Sequence, residues 1–169
     1  RPICSESTHA MSSLSQSHLE ALASKLGALL QGNGQTLCTA ESCTGGWVAQ
    51  CLTAIPGSSR WFDRGFVTYS NAAKQEMLGV SATTLETQGA VSEATAAEMA
   101  LGALRYSQSD WSLAITGIAG PDGGNADKPV GTVFFAWAGS DGQLATARHN
   151  LNGSRANIRA QSVAIALRG

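Results

Sequence analysis

The chain is poor in the residues on which most metal and nucleophilic sites depend. It contains three histidines, three lysines and four cysteines, and no two of the cysteines form a CxxC pair. Widely spaced histidines and unpaired cysteines argue against a zinc site. Thiols beside apolar runs are typical of reduced cysteines in a cytoplasmic protein rather than of a disulfide framework. A Ser-His-Asp triad is weakly supported as well, because no histidine has a suggestive sequence context.

Charge and long apolar runs are also scarce. Only 14% of the residues are charged and the net charge is −1, so we expect no nucleic-acid partner and no electrostatic membrane binding. No apolar run approaches the roughly 20 residues of a membrane span. What remains is a chain of 169 residues, 43% of them hydrophobic, which suffices for one domain with a sizeable core. A homo-oligomer is compatible with this composition.

The apolar pattern predicts an α/β domain over residues 14–169. Residues 1–13 are polar and aperiodic, so we interpret them as a disordered or tag-derived segment with a natural start at Met11. Leucines at helical spacing from Leu19 to Leu30 predict a first helix. Residues 81–90 are predicted to be a loop with a helical turn. Strands are predicted near residues 36–40, 61–69, 111–116, 129–137 and 144–150. Helices between these strands, and a hairpin turn at 139–142, favour a single-domain three-layer sandwich around a mixed, largely parallel sheet.

The turn at residues 39–46 follows an apolar strand and precedes a helix. Unpaired N–H groups and the helix dipole make such a position suitable for an anion or an activated nucleophile. Ser42 could be that nucleophile, but serine is also a leading helix-capping residue, and the local pattern favours the cap. Cys43 is the rival nucleophile, because a thiol at a helix N-terminus has a lowered pKa.

Lys74 and Tyr69 flank a predicted strand-to-helix junction. Both side chains could therefore face one site at the carboxyl edge of the sheet, where open α/β sheets bind ligands. A buried lysine with a lowered pKa can replace histidine as the base for a serine. The alternatives are a solvated helix lysine and an ordinary strand tyrosine.

A second glycine-rich loop follows the predicted strand at 111–116. It has four glycines within residues 117–124, in a pattern that is neither a dinucleotide fingerprint nor a P-loop. Its backbone N–H groups could still hold a phosphate. Arg155, at the start of the last helix, could clamp the same anion.

Six motifs, in this order, closely resemble the CinA C-terminal family over about residues 14–168. They are TAESCTGG at 39–46, PGSS at 56–59, YSNAAK at 69–74, GAVS at 89–92, TGIAGPDGG at 116–124 and KPVGTV at 128–133. The resemblance is to the stand-alone amidohydrolases of that family. It implies hydrolysis of the carboxamide of nicotinamide mononucleotide to nicotinate mononucleotide and ammonia, a step of pyridine-nucleotide salvage, without a cofactor or metal.

The resemblance also implies roles for individual residues. Ser42 would be the nucleophile, Lys74 the base and Tyr69 a proton relay. Oxyanion donors would come from Thr44, Gly45 and Gly46, and substrate contacts from Glu41, Asn71, Thr116, Gly117, Gly120 and Arg155. One position departs from the pattern, since Ser154 stands where the family often has aspartate, and this leaves the orientation of Arg155 open.

Two other classes of function stay open on the sequence. A non-catalytic nucleotide-binding or regulatory module would use the same glycine loops and Arg155. A metal-dependent phosphohydrolase would use Glu41, Asp122 and Asp127, although these carboxylates are dispersed.

Overall fold

A computed structural model of the protein describes residues 14–169; the segment 1–13 interpreted above lies outside the described residues. The helices and strands follow one another along the chain as α1 Gln16–Gly32, β1 Leu37–Glu41, α2 Trp47–Thr53, β2 Phe62–Val67, α3 Asn71–Leu78, α4 Ala82–Gln88, α5 Glu93–Arg105, β3 Trp111–Gly117, β4 Thr132–Gly139, β5 Leu144–Asn150 and α6 Arg155–Arg168. None of the helices in this part of the chain is both long enough and apolar enough to cross a membrane.

The strands form one sheet in the order β2-β1-β3-β4-β5. Strand β1 pairs in parallel with both β2 and β3, whereas β4 runs antiparallel to β3 and β5 antiparallel to β4. Every residue of β1 is buried, as expected of a central strand covered on both faces. Because β5 again runs in the direction of β1, the carboxyl ends of β1, β2, β3 and β5 meet at one edge of the sheet.

Helices cover both faces of the sheet. One apolar cluster joins α1, α2 and α6 to the sheet, with Leu19, Val48 and Val163 fully buried. The other joins α3, α4 and α5 to the opposite face, with Leu78 and Met99 fully buried. The predicted three-layer α/β fold with a mixed sheet is confirmed.

Local signals set most of the helix ends. Ser70 accepts a hydrogen bond from the N–H of Ala73 at 3.0 Å and begins α3, and Gly79 ends that helix with a φ of 67°. Two predicted boundaries are wrong. Residues 82–88 form a complete helix, and β4 begins at Thr132 instead of Pro129. The carbonyl of Pro129 closes a turn with the N–H of Thr132 at 3.0 Å, and proline has no N–H to give to the sheet.

A close approach of two helices places α3 against α5. A Cβ atom added to Gly102 would lie 1.9 Å from the carbonyl oxygen of Leu78. Glycine at this position therefore allows the end of α3 to rest directly on α5. Since α3 carries Lys74, this contact also fixes how far the lysine reaches toward the sheet edge.

Candidate active site

Ser42 directly follows the last residue of β1 and opens the turn into α2. Its N–H donates to the carbonyl of Ile115 on β3 at 3.0 Å, and its own carbonyl accepts from the N–H of Gly45 at 3.0 Å. Gly45 and Gly46 have φ values of 60° and 99°, a conformation that glycine adopts without strain. The capping interpretation of Ser42 is wrong, because Gly46 occupies the N-cap of α2 and the Ser42 hydroxyl contacts Lys74 rather than an N–H of that helix.

Lys74 meets Ser42 at the sheet edge. Its Nζ lies 3.0 Å from Ser42 Oγ and 2.9 Å from the carbonyl oxygen of Thr68. The lysine side chain is only 2% exposed, and no carboxylate pairs with it within residues 14–169. Burial removes the ammonium group from water and holds the pKa of Lys74 below its ordinary value of 10.5. A lysine in this setting is easier to deprotonate than a surface lysine.

The thiol of Cys43 is not activated. The side chain is 5% exposed, and burial raises the pKa of Cys43 to about 11. The lowered pKa predicted from the helix N-terminus is therefore wrong here, because the loss of hydration outweighs the helix dipole and the nearby Arg159. The group remains a neutral thiol at physiological pH.

A polar cavity of about 240 Å³ opens beside this serine. Its wall is formed by Ser42, Cys43, Tyr69, Gly117, Ile118, Ala119, Gly120, Asp122, Gly123 and Arg155. These residues follow β1, β2, β3 and β5, so the cavity lies at the edge where the carboxyl ends of these strands meet. The structure thus brings both glycine-rich loops to one place, as predicted.

Arg155 connects two walls of the cavity. Its Nη1 donates to the carbonyl oxygen of Gly120 at 2.7 Å, and its Nη2 donates to the hydroxyl of Tyr69 at 2.9 Å. Ser154 accepts a hydrogen bond from the N–H of Asn157 at 3.2 Å and caps α6. Serine therefore supplies the helix cap that an aspartate would also supply, and the orientation of Arg155 is set by Gly120 and Tyr69.

Tyr69 borders the cavity without touching the serine–lysine pair. Its side chain is 63% exposed, and its hydroxyl is bound to Arg155. Within residues 14–169 the tyrosine hydroxyl makes no hydrogen bond to Ser42 or Lys74. Lys74 Nζ and Ser42 Oγ are in direct hydrogen-bond contact, so no third group lies between them.

Two side chains predicted to contact substrate, those of Glu41 and Thr116, form hydrogen bonds to groups of the protein itself. The carboxylate of Glu41 is 1% exposed and accepts hydrogen bonds from Thr44 Oγ1 at 2.7 Å and from the N–H groups of Val48 and Ala49 at 2.9 and 3.1 Å. It thereby satisfies the first turn of α2. The hydroxyl of Thr116 donates to the carbonyl of Ala90 at 2.7 Å. Neither side chain borders the cavity.

The expected oxyanion donors are only partly available. The N–H of Gly45 is already bound to Ser42 O, whereas the N–H groups of Cys43, Thr44 and Gly46 have no acceptor in another described residue. Asn71, the first residue of α3, is exposed and lies outside the cavity wall. Gly117 and Gly120 do border it.

Sequence reasoning missed Arg159. Its Nε donates to the carbonyl oxygen of Cys43 and its Nη2 to that of Thr44, both at 3.0 Å. A signal for it exists, because it lies one helical turn after Arg155 and so on the same side of α6. No group of three or more His, Cys, Asp or Glu side chains is placed to hold a metal ion in residues 14–169, so Glu41, Asp122 and Asp127 do not converge.

The fold and the cavity together define an α/β protein in which a cavity-lining serine contacts a buried lysine at the carboxyl edge of a mixed sheet. The chain belongs to the CinA C-terminal domain family, whose model matches residues 19–169. It is 53% identical over 154 residues to the nicotinamide-nucleotide amidohydrolase PncC of Enterobacter agglomerans, which covers 91% of this chain and 94% of the relative. It is 52% identical to the protein of the same name from Escherichia coli, over 91% of this chain and 93% of that one.

Solved structures of the family have the same fold. The competence/damage inducible protein CihA of Agrobacterium tumefaciens superposes with a TM-score of 0.87 at 47% identity, covering 89% of this chain and 92% of the other. A CinA superfamily protein of Escherichia coli gives a TM-score of 0.86 at 43% identity, with 89% and 87% covered.

Proposed function

We propose that the protein is a nicotinamide-nucleotide amidohydrolase that converts nicotinamide mononucleotide to nicotinate mononucleotide and ammonia. The observation that carries the proposal is the contact of 3.0 Å between Lys74 Nζ and Ser42 Oγ at the wall of a polar cavity. The relatives named for this activity support the substrate, because they match this chain over nearly the full length of both proteins.

Lys74 is the base in this proposal. A neutral amine keeps two N–H groups and one lone pair, so it can donate to Thr68 O while it accepts the proton of Ser42. Ser42 Oγ then attacks the carboxamide carbon. The lysine returns the proton to the departing nitrogen, ammonia leaves, and an ester links Ser42 to the nicotinoyl group. Water, deprotonated by the same lysine, cleaves this ester and regenerates the serine.

The developing negative charge needs donors beside Ser42. Hydrogen-bond donors aimed at such an oxygen are usually the largest electrostatic contribution to acyl transfer. Of the predicted set at residues 44–46, Gly45 is occupied by its bond to Ser42 O. We assign the oxyanion to the N–H groups of Cys43 and Thr44, which are unoccupied and directly follow Ser42 in the turn.

The remaining wall of the cavity suits the nucleotide portion of the substrate. Arg155 offers a guanidinium group whose fork matches phosphate, and the backbone of Gly117 and Gly120 lies on the same wall. With the phosphate at Arg155, the carboxamide would face Ser42. Tyr69 then acts through Arg155 and through contact with the substrate.

Ammonia release from nicotinamide mononucleotide tests the proposal. We expect Ser42→Ala and Lys74→Met each to lower kcat by at least about a thousandfold, because the two residues act as one unit. Ser140→Ala and Lys25→Met, both at exposed positions, are the matched controls and should retain the parent rate. A Ser42→Ala protein with the parent rate would refute the mechanism. Binding of the nucleotide by the parent protein without any release of ammonia would instead support a non-catalytic nucleotide-binding module.

A further inference from the structure

Arg159 holds the turn that carries Ser42. The arginine and Cys43 are 116 residues apart in sequence, and the Nε–H and Nη2–H groups of Arg159 reach the successive carbonyl oxygens of Cys43 and Thr44. The guanidinium carbon also lies 5.4 Å from the centre of the Trp47 ring. A planar guanidinium group held by two hydrogen bonds and a ring has little rotational freedom. The position of both carbonyl groups is therefore fixed from α6.

Fixing these carbonyl groups also fixes the N–H groups after Ser42. In a trans peptide the C=O and the following N–H point in opposite directions. The carbonyl of Cys43 points to Arg159, so the N–H of Thr44 points away from it. The carbonyl of Thr44, also bound to Arg159, fixes the N–H of Gly45 in its own peptide unit. Gly45 donates to the carbonyl of Ser42, so Arg159 acts on the N–H of Cys43 through Gly45.

The position of Arg159 separates it from the groups that would meet substrate. It is half-buried, and it is not part of the cavity wall that contains Arg155. Its hydrogen bonds end on backbone oxygens and leave the side chains of Ser42 and Lys74 untouched. An effect of Arg159 on the reaction must therefore pass through the shape of the turn.

We infer that Arg159 is a positioning residue, which orients the N–H of Thr44 directly, and the N–H of Cys43 through Gly45, for the oxyanion formed at Ser42. This inference rests on the proposed amidohydrolase function and extends it. Arg159 is then a second residue, besides Glu41, that holds this turn. Glu41 holds the same segment through Thr44 and the first N–H groups of α2.

Arg159→Met is the first test, because methionine keeps an apolar stem against Trp47 and removes both donors. With nicotinamide mononucleotide we expect kcat to fall about tenfold to a hundredfold, since removing one oxyanion donor outright costs about a hundredfold to a thousandfold. KM should stay within about threefold, because substrate does not touch Arg159. Arg148→Met is the matched control. Arg148 also donates to a carbonyl, that of Asp127 at 2.8 Å, and lies 5.5 Å from the Phe134 ring centre, but it does not border the cavity.

Chemical rescue separates positioning from general stability. Guanidinium chloride at low millimolar concentration should raise kcat of Arg159→Ala several-fold, whereas sodium chloride at equal concentration should not. If Arg159→Met does not fold, as judged by circular dichroism, Arg159→Lys takes its place and should give an intermediate kcat, because an ammonium group can still reach one of the two carbonyls.

Labelling of Ser42 with an alkyl fluorophosphonate distinguishes this inference from the proposed substrate. In that reaction Ser42 Oγ bonds to phosphorus, fluoride leaves and Lys74 takes the proton, so no nucleotide is needed. We expect mass spectrometry to show labelling at least about tenfold slower in Arg159→Met than in the parent and in Arg148→Met. Slower labelling of Arg159→Met, together with no release of ammonia by the parent, would support the role of Arg159 and refute nicotinamide mononucleotide as the substrate. Parent-like labelling and kcat in Arg159→Met, or a parent protein inert in both assays, would overturn the inference.

Discussion

Arg155 donates a hydrogen bond of 2.9 Å to the hydroxyl of Tyr69. The same guanidinium group donates to the carbonyl of Gly120 at 2.7 Å. The guanidinium group of Arg155, on α6, therefore joins the connection after β2 to the loop after β3. An anion bound to Arg155 would compete with both of these partners and so change the surroundings of Tyr69.

Tyr69→Phe should weaken substrate binding more than the chemical step. The variant removes the acceptor that holds Arg155, and an exposed hydrogen bond to a charged group contributes about 1 kcal/mol, or roughly fivefold in affinity. We expect KM for nicotinamide mononucleotide to rise about three- to tenfold and kcat to fall less than tenfold. Tyr106→Phe, at a ring that is also largely exposed, should change neither. A loss of kcat as large as that of Ser42→Ala would restore the proton-relay role predicted for Tyr69.

The pH profile of the reaction should report the lysine. The reaction needs the neutral amine, and burial lowers the pKa of Lys74 below 10.5. The ratio kcat/KM should therefore rise with pH and level off at a lower pH than an ordinary lysine would allow. The profile is best measured above pH 7, since a phosphate group completes its ionisation near a pKa of about 6. A rate that falls between pH 7 and 9 would contradict Lys74 as the base.

The lowered pKa of Lys74 should also make the free energy of unfolding depend on pH. The pKa of Lys74 is lower in the folded chain than in the unfolded chain, so the charged amine opposes folding below the folded pKa. This penalty fades as pH rises from the folded pKa toward 10.5. The free energy of unfolding of Lys74→Met, minus that of the parent, should therefore decrease between pH 7 and 10. Urea denaturation measures it, and the exposed Lys25→Met should show no such trend.

Glu41→Gln should affect stability before it affects binding. An amide presents N–H₂ where the carboxylate accepted the N–H of Ala49, which leaves a buried donor unpaired at a cost of about 1–3 kcal/mol. We expect a lower denaturation midpoint and a KM within about twofold of the parent value. Glu86→Gln, on the exposed side of α4, is the control. A large rise in KM at unchanged stability would return Glu41 to the substrate contacts predicted from the sequence.

Gly102→Ala should displace α3 and the lysine on it. The new Cβ would meet the backbone of Leu78, which cannot move aside as a flexible side chain can. Overpacking of this kind costs about 1–3 kcal/mol, and kcat should fall with stability because Lys74 moves relative to Ser42. Gly32→Ala has no neighbour within 4 Å of its Cβ and should be neutral or slightly stabilising. A Gly102→Ala protein as stable as the parent would contradict the close helix contact.

The sequence made Ser42 and Lys74 candidates because the ends of strands can be recognised, but their roles as nucleophile and base came from the family resemblance. Ser42 and Lys74 each follow an apolar segment, and parallel strands bring their carboxyl ends together. The role of Glu41 was not readable in this way. Strand β1 is buried on both faces, so the alternation of residues does not tell which side chains meet a ligand and which meet α2. The contact of Arg159 with the turn depends on how α6 docks, which no local pattern specifies.

The residues that we assign to the chemical step and those that we assign to substrate binding follow different strands. Ser42 and Lys74 follow β1 and β2, whereas the glycine loop and Arg155 follow β3 and β5. The loop between β3 and β4 spans residues 118–131 and contributes several residues to the cavity wall, which does not include Lys74. The length and composition of this loop can therefore change while the serine–lysine contact stays intact. In the proposed amidohydrolase, exchange of this loop would therefore change which carboxamide is bound and not the groups that attack it.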